Sequence, residues 1–572
     1  MKTRWDVSLF CVLAACIALG LAACVPATTP ESTSLPGESE AVQTVAALPS
    51  QTPEGPTPGP ESVVMRIGSL EEPDCLHTVF QCESIWYIGD LIWEGFTALG
   101  PNCDAIPRQA KSMELSEDGL TWTIHLQEGV TWSDGEPFDA TDVVDYWNWI
   151  TSLSVVEWHP ITFLAESWEA IDEHTFQITT SDPVAALERT DAIWHYVLPM
   201  HLLGDLDEEA FFGYETDYPV TTGPYVLTEW NRGSYMVFDA RADYWGGPPP
   251  VDRVVVHIFA NPDAMVNALL AGEIDVIPDE ISPQYYEELV AEPNVTVVEQ
   301  EPGSFLFLDF NMSSAGKKHP AIDDPKVREA IDYAIDKQQI VDVSMMGKGI
   351  VCPIADTCGA VFGWRLDPTA EATPYDPQMA NRILDDAGYA DSDGDGVRET
   401  ADGTPLEFRL FFEQDYPPAM SASTLVGDFL SQIGIQVEAT AMEEGTLWDT
   451  GLYDHDFDMI VRTGETETDP ATDDFDWGCW AAEGGGLNIE GYCNPELDDL
   501  ISQVAATSGP DRQQLMYGVH RILATDRPFV YLAGIQSIGA YRNDKFEMPG
   551  DACPYWDMLM GWYPIMNTTV KK

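Results

Sequence analysis

The chain has 572 residues, and 96 acidic against 27 basic side chains give it a formal net charge of −69. This excess argues against binding to nucleic acid and against direct docking on an anionic bilayer, because both need a basic surface. The acidic surface has two interpretations: a general aid to solubility, or a cleft suited to cationic ligands.

The first 24 residues have the features of an export signal. A short basic start precedes a mostly apolar run, Val7 to Leu21, which falls short of the roughly 20 residues that a membrane-spanning helix needs. The letters Leu-Ala-Ala-Cys that follow resemble a bacterial lipobox. We therefore expect a signal peptide over residues 1–24 and lipidation of Cys24; a permanent membrane span is the alternative.

Residues 25–62 are dominated by Pro, Thr, Ser, Gly and Glu. Such a composition cannot bury a core, so this segment is predicted to be a disordered tether. The rest of the chain is long enough for two or three domains and has no further apolar stretch of membrane-spanning length. We expect an extracytoplasmic, soluble and monomeric body that meets the membrane only through its lipid anchor.

The stretch from Ser116 to Trp147 is the most informative block of the sequence. Thr121 to Leu126 alternates as a strand does, and two glycine turns follow it. Asp139 then begins an acid-rich segment that is typical of a capped helix start. This order resembles the hallmark block of the family 5 extracytoplasmic solute-binding proteins, the peptide-binding receptors of ABC importers.

Further blocks extend the resemblance toward the C-terminus, and in each of them Gly, Pro and Asx residues serve turns and helix caps. These blocks lie at 222–259, 264–275, 323–341, 376–389 and 491–498.

The resemblance implies an α/β fold of the two-lobed periplasmic-binding-protein (Venus-flytrap) type with an extra inserted domain. Domain I is then discontinuous and holds 63–100, 222–302 and 536–572. Domain II is 101–221 and domain III is 303–535. Two chain crossings between the lobes would form a hinge, and closure over a ligand would be the functional motion.

Eight cysteines follow Cys24, an even number that suggests disulfide bonds in an exported chain. Close spacing favours three pairs, with a fourth left over. The pairs are Cys75–Cys82, Cys352–Cys358, Cys479–Cys493 and, as the remaining pair, Cys103–Cys553. Zinc-ligand spacing is absent, as are the sequence signatures of hydrolases, metalloproteases and P-loop enzymes. Ser314 to Lys317 fits the letters of an SxxK motif by chance only, so we expect no enzymatic activity.

An acidic loop at 391–402 fits the pattern of an EF-hand calcium loop. Glycine at its sixth position permits the sharp turn on which the ligand oxygens converge. The expected ligands are Asp391, Asp393, Asp395, Val397, Glu399 and Asp402. A strand-like segment follows where an EF-hand has its second helix, and position 12 is Asp rather than Glu. A structural Ca²⁺ site and a solvated acidic turn both remain open.

The ligand is expected to bind at the segment 456–492. Peptide-binding members that resemble it carry an Asp three residues before a D-P or E-P pair, and this Asp pairs with the α-ammonium of the peptide. Alignment on Asp469-Pro470 puts Thr466 at that position, flanked by Glu465 and Glu467. One of these glutamates could reach the same charge; an acidic loop that faces solvent is the alternative.

Three aromatic residues of the same region could wall a pocket or belong to the core, since aromatic rings serve both purposes. They are Trp477, Trp480 and Tyr492. Together these features predict a lipid-anchored receptor that captures peptides or peptide-like solutes and delivers them to ABC-importer permease subunits. The alternatives are the same role for an oligosaccharide, a cationic metabolite or a metal chelate, a sensory receptor, and a secreted hydrolase.

Overall fold

The computed structural model describes most of the chain beyond the tether. The described residues are 62–73, 76, 86–152, 165–206, 210–211, 218–278, 281–300, 302–353, 363–465, 469–483, 486–550, 553 and 559–571. Within these ranges no helix combines the length and the apolar character that a membrane crossing requires. The predicted signal peptide, its Cys24 and nearly all of the tether lie outside the described residues.

The described strands form three main sheets and two short two-stranded ladders. In chain order they are β1 (Val64–Ser69), β2 (Thr97–Leu99), β3 (Ala105–Pro107), β4 (Ala110–Leu115), β5 (Thr121–Leu126), β6 (Ala165–Asp172), β7 (Thr175–Thr180), β8 (Tyr225–Asn231), β9 (Tyr235–Ala240), β10 (Arg253–Ile258), β11 (Val276–Ile277), β12 (Val295–Glu299), β13 (Ser304–Phe310), β14 (Gly349–Ile350), β15 (Glu407–Glu413), β16 (Gln436–Met442), β17 (Met459–Glu465), β18 (Phe529–Ile535), β19 (Ile538–Arg542), β20 (Phe546–Glu547) and β21 (Thr569–Val570).

The described α-helices cover the faces and ends of the sheets. They are α1 (Trp86–Ile92), α2 (Ala140–Ile150), α3 (Asp191–Trp194), α4 (Met200–Leu203), α5 (Pro262–Ala271), α6 (Tyr286–Ala291), α7 (Pro325–Ala334), α8 (Lys337–Ser344), α9 (Pro377–Ala387), α10 (Pro417–Ser431), α11 (Glu444–Asp449), α12 (Asp474–Trp477), α13 (Pro495–Ala506), α14 (Pro510–Asp526) and α15 (Trp562–Met566).

The first lobe is built on a seven-stranded sheet with the order β12-β19-β11-β1-β10-β9-β8. Its strands come from the three separate parts of the chain that were assigned to domain I. The β1 strand runs parallel to β10 and β11, which is possible because long connections separate them in the chain. Buried apolar side chains cover both faces of this sheet at β9 and β10, so residues 235–238 and 254–256 are buried in succession rather than in alternation.

The second lobe is built on a six-stranded sheet with the order β14-β18-β13-β17-β15-β16, all from the part assigned to domain III. Its central strand β13 separates two cores. Leu306 and Leu308 face one core, and Phe305 and Phe307 face the other, because successive side chains of a strand point to opposite faces.

The inserted domain II contains a four-stranded antiparallel sheet, β4-β5-β7-β6, and the helix α2. As predicted, β5 alternates: Trp122, Ile124 and Leu126 are buried. Asp139 caps α2 by accepting from the backbone N–H of Thr141. The buried residues of this domain join one continuous apolar cluster with those of the first lobe, so these two parts pack as one body.

Two chain crossings join the lobes, one between β12 and β13 and the other between β18 and β19. They lie side by side: the Gln300 N–H donates to the Ser537 carbonyl at 3.1 Å. Glu299 is paired with Ile538 on one side of the boundary, and Ser304 with Ile535 on the other. Rotation about the few residues between these pairs would move one lobe against the other.

Two of the four predicted disulfides are present. Cys103 is bonded to Cys553, and Cys479 to Cys493, which confirms both pairings. Cys352 is also disulfide-bonded. Its predicted partner Cys358 lies outside the described residues, as do Cys75 and Cys82, so those pairings stay predictions.

Candidate functional site

The strand β17 carries the predicted ligand segment to the boundary between the lobes. Its last residue, Glu465, is paired with Ser304, and Ser304 is also paired with Ile535 at the end of β18. The last residues of β17 and β18 and the first residue of β13 therefore lie together, where the chain crosses between the lobes. Thr466, Glu467 and the side chain of Glu465 lie outside the described residues, so their contacts with a ligand remain predicted.

Asp469 lies in the interior of the second lobe, and its predicted contact with a ligand stays a prediction. Its side chain is fully buried and both carboxylate oxygens accept from Arg512, with Nη1 at 2.8 Å from Oδ2. Oδ1 also accepts from the Ala471 N–H at 2.9 Å. The Arg512 Nε in turn donates to the Val504 carbonyl at the end of α13. Asp469 thus ties the loop after β17 to the two C-terminal helices of the lobe.

Two of the three aromatic candidates lie in a core cluster of the second lobe, which is one of the two interpretations that the sequence left open. Trp477 is buried and packs against the ring of Phe529 at 6.0 Å between centroids. The buried Tyr492 donates through its hydroxyl to Asp526 Oδ2 at 2.6 Å. Trp480 differs, because 40 % of it is exposed beside the Cys479–Cys493 disulfide. Of the three, only its indole offers a ligand an accessible apolar face.

A buried ionic cluster, which was not predicted from the sequence, supports the end of β17. The Arg462 Nε lies 2.7 Å from Asp309 Oδ2, and its Nη2 lies 3.7 Å from Glu490 Oε1. Both carboxylates are almost completely buried. The sequence signal for the cluster is a charged residue inside each of two apolar strands, Asp309 in FLFLDF and Arg462 in MIVRT. A fully buried charge needs a partner, so two such interruptions predict a pair.

The electrostatics of this cluster leave it one cation short. Burial raises the pKa of Glu490 well above its ordinary value, and the Asp309 carboxylate raises it further, while Arg462 opposes the change. Burial likewise raises the pKa of Asp309. Since one guanidinium balances only one carboxylate, the other holds its proton more tightly than a carboxyl group in water does. Arg462 lies three residues before Glu465, so the cluster holds in place the strand that leads to the ligand segment.

The acidic loop brings most of its predicted ligands together. Carboxylate oxygens of Asp391, Asp393, Asp395 and Glu399 lie within 4.8 Å of one another. Oxygen donors at this spacing suit Ca²⁺. Asp402 is outside the group, because its carboxylate accepts from the hydroxyls of Thr400 and Thr404 in the next turn.

Position 12 of the loop therefore does not contribute to the group, and position 9, the buried Glu399, does so directly. One Glu399 oxygen, Oε2, already accepts from the Ser392 N–H at 2.8 Å and from its hydroxyl at 2.7 Å. The backbone N–H of Val397 donates to Asp395 and so shapes the turn. The donor set fits calcium, and a structural ion in this loop stays a prediction.

Comparison with known proteins identifies the family. Residues 104–484 match the family model of the bacterial extracellular solute-binding proteins, family 5. The oligopeptide-binding protein AppA of Bacillus subtilis (strain 168) is 25% identical over 84% of this chain and 87% of its own length. The nickel-binding periplasmic protein of Escherichia coli (strain K12) is 27% identical over 66% of this chain and 71% of its own.

Structural comparison gives the same fold. The periplasmic oligopeptide-binding protein of Thermotoga maritima, solved with bound mannohexaose, has a TM-score of 0.72 at 20% identity and covers 89% of this chain and 99% of its own. This likeness confirms the predicted two-lobed α/β fold. The chain therefore belongs to family 5 of the bacterial extracellular solute-binding proteins, the extracytoplasmic receptors that capture solutes for ABC importers and are not enzymes.

Proposed function

We propose that this receptor captures peptides or peptide-like solutes between its lobes and delivers them to an ABC permease. The observation that carries the proposal is the position of β17, whose last residue pairs with β13 at the crossing between the lobes. Peptide bound in extended form needs backbone groups and side-chain room at such a strand end. The similarity to an oligopeptide-binding protein over most of both chains supports the same ligand class.

We further propose that Glu465 or Glu467 receives the α-ammonium group of the ligand, because Thr466 occupies the place of the aspartate that peptide-binding members use. A carboxylate one methylene longer, at a neighbouring position, can reach the same cation. Trp480 would offer an apolar face to a ligand side chain. Glycans and metal chelates are the second candidate class, since relatives include a nickel-binding protein and one solved with mannohexaose.

The remaining parts of the proposal concern partners and location. Lipidation of Cys24 would anchor the receptor to the outer face of the membrane, and the tether of 25–62 would let a monomer reach the permease subunits. A sensory role would use the same lobes and the same closure. Uptake of a labelled peptide by cells with and without this protein separates import from sensing.

Thermal shift and calorimetry identify the ligand class directly. The purified protein is screened against di- to pentapeptides, mannohexaose and a nickel–histidine chelate. We expect a peptide to raise the melting temperature, and stabilisation by the sugar or the chelate alone would refute the peptide proposal.

The double variant Glu465→Gln plus Glu467→Gln should weaken binding of a peptide with a free amine and leave the unfolding transition unchanged. The matched control is Glu371→Gln plus Glu438→Gln, which removes the same charge from exposed positions of the same lobe. Equal affinity of the two double variants would remove Glu465 and Glu467 from the site.

A further inference from the structure

Domain II touches the second lobe beside the ligand segment. The backbone N–H of Ala185 donates to the carbonyl of Ala505, the penultimate residue of α13, at 2.9 Å. The carbonyl of the preceding residue, Val504, accepts from Arg512, which holds Asp469. A short hydrogen-bonded path thus leads from domain II to the loop that follows β17.

Glu188 lies three residues beyond this contact, on the short 3₁₀ helix Leu187–Arg189. The helix is fixed to the first lobe, because the Thr97 hydroxyl donates to the Glu188 carbonyl at 2.9 Å. The side-chain Oε2 of Glu188 has practically no accessible surface, and no hydrogen-bond donor in the described part of the chain reaches it. A sequestered carboxylate oxygen of this kind is costly unless something else supplies its partner.

The charges around Glu188 do not neutralise it. Arg512 is within electrostatic range but has both terminal nitrogens on Asp469, and that carboxylate acts on Glu188 as well. Arg189 is turned toward Asp104, to which its Nη2 donates at 2.8 Å. Burial, reinforced by Asp469, raises the pKa of Glu188. The domain II side of the boundary therefore carries a carboxylate whose nearest cations are engaged by other acids.

We propose that the Glu188 carboxylate binds the cationic amine of the solute across the lobe boundary, so that domain II takes part in recognition. The inference rests on the proposed capture of peptide-like solutes and names the group that meets their charge from the domain II side. A solute amine that binds while the lobes are apart would give Oε2 the donor that the protein withholds. Because Ala185 contacts the second lobe only when the lobes are together, this charge also favours the closed arrangement.

The test uses trialanine and N-acetyl-trialanine, in which an acetyl group replaces the charge of the amine end with a neutral amide. Isothermal titration calorimetry compares the wild-type protein with Glu188→Gln and with the control Glu117→Gln, an exposed glutamate of domain II. We expect the wild type and Glu117→Gln to prefer trialanine about 10- to 100-fold, as a hydrogen bond to a charged group predicts. In Glu188→Gln that preference should fall about tenfold, because only the proposed contact with Glu465 or Glu467 remains.

A second readout separates recognition from a structural role. Glu188→Gln replaces an unbalanced carboxylate by a neutral amide, so the ligand-free variant should melt no lower than the wild type. A lower melting temperature with an intact preference for the free amine would overturn the inference.

The remaining outcomes distinguish the inference from the proposal on which it rests. Equal binding of both peptides by the wild type, or an undiminished preference in Glu188→Gln, refutes the role of Glu188 and leaves the peptide receptor standing. If neither trialanine nor any di- to pentapeptide binds the wild type, both the peptide proposal and the role of Glu188 fail.

Discussion

Substitution of Arg512 by Met tests the most deeply buried ion pair near the ligand segment. The change removes the two hydrogen bonds to Asp469, which is fully buried, and the hydrogen bond from Arg512 to the Val504 carbonyl, which keeps the Thr507 N–H as a donor. Breaking a buried pair from one side typically costs about 3–5 kcal/mol, because the remaining charge has no solvent. For a lobe of about 230 residues this corresponds to a fall in melting temperature of roughly 6–20 °C.

Differential scanning calorimetry of the whole protein measures this change as a shift of the transition of the second lobe. The control is Arg521→Met, since Arg521 is 65% exposed and its Nη1 lies 3.4 Å from Asp367. Exposed pairs of this kind contribute about 1 kcal/mol or less. Combining Arg512→Met with Asp469→Asn should recover part of the loss by removing the stranded charge. A single variant within about 1 kcal/mol of the wild type would refute the reasoning.

Three further predictions follow from the ionic groups. Burial raises the pKa of Glu490, so the folded state holds the proton of this carboxyl more tightly than the unfolded state does. The free energy of unfolding therefore falls as the pH rises from the ordinary pKa of glutamate toward the raised pKa of the folded state. Glu490→Gln should therefore match the wild type near pH 4 and exceed it in melting temperature at pH 8; a pH-independent difference would contradict this. Calcium should raise the melting temperature and excess chelator should lower it, unless the loop at 391–402 binds no ion. Lys348→Met removes a 2.9 Å bond to Glu299 and a 3.1 Å approach to the Tyr286 ring, beside the hinge. Loss of these two contacts, about 1 kcal/mol, should lower the population of the observed lobe arrangement about fivefold relative to other arrangements. Small-angle X-ray scattering measures this shift, and an unchanged scattering profile would contradict the prediction.

The sequence predicted the fold well where local chemistry decides the structure. Asn494 caps α13 and Pro495 opens it, as the letters Asn-Pro-Glu indicated. Asp324 caps α7 in the same way. Such caps depend on residues within one turn of each other, so they can be predicted from a single sequence. The long-range disulfide Cys103–Cys553 was found only by elimination, after nearer pairs had been assigned.

The candidate site was harder to predict, because burial and pairing are properties of the folded chain. The aspartate of an aspartate-proline pair has the same letters whether it faces a ligand or an internal arginine. Asp469 faces Arg512, which is 43 residues away in the chain. Trp477 and Trp480 differ by three positions, yet one is core and the other is exposed. No local pattern distinguishes these cases, since partners remote in sequence decide each of them.

Basic residues are scarce in this chain, and several of those inside the protein are paired with buried acids. With 27 basic against 96 acidic side chains, most carboxylates must be stabilised by solvent. A basic side chain inside the protein therefore often indicates a carboxylate that solvent does not reach. Arg108 stands between Asp90 and Glu94, and Arg462 between Asp309 and Glu490. At Glu188 one carboxylate oxygen is sequestered, but the neighbouring guanidinium groups are bound to other carboxylates. If the solute amine takes the place of such a base at Glu188, as proposed, the charge of the ligand becomes part of how the receptor closes.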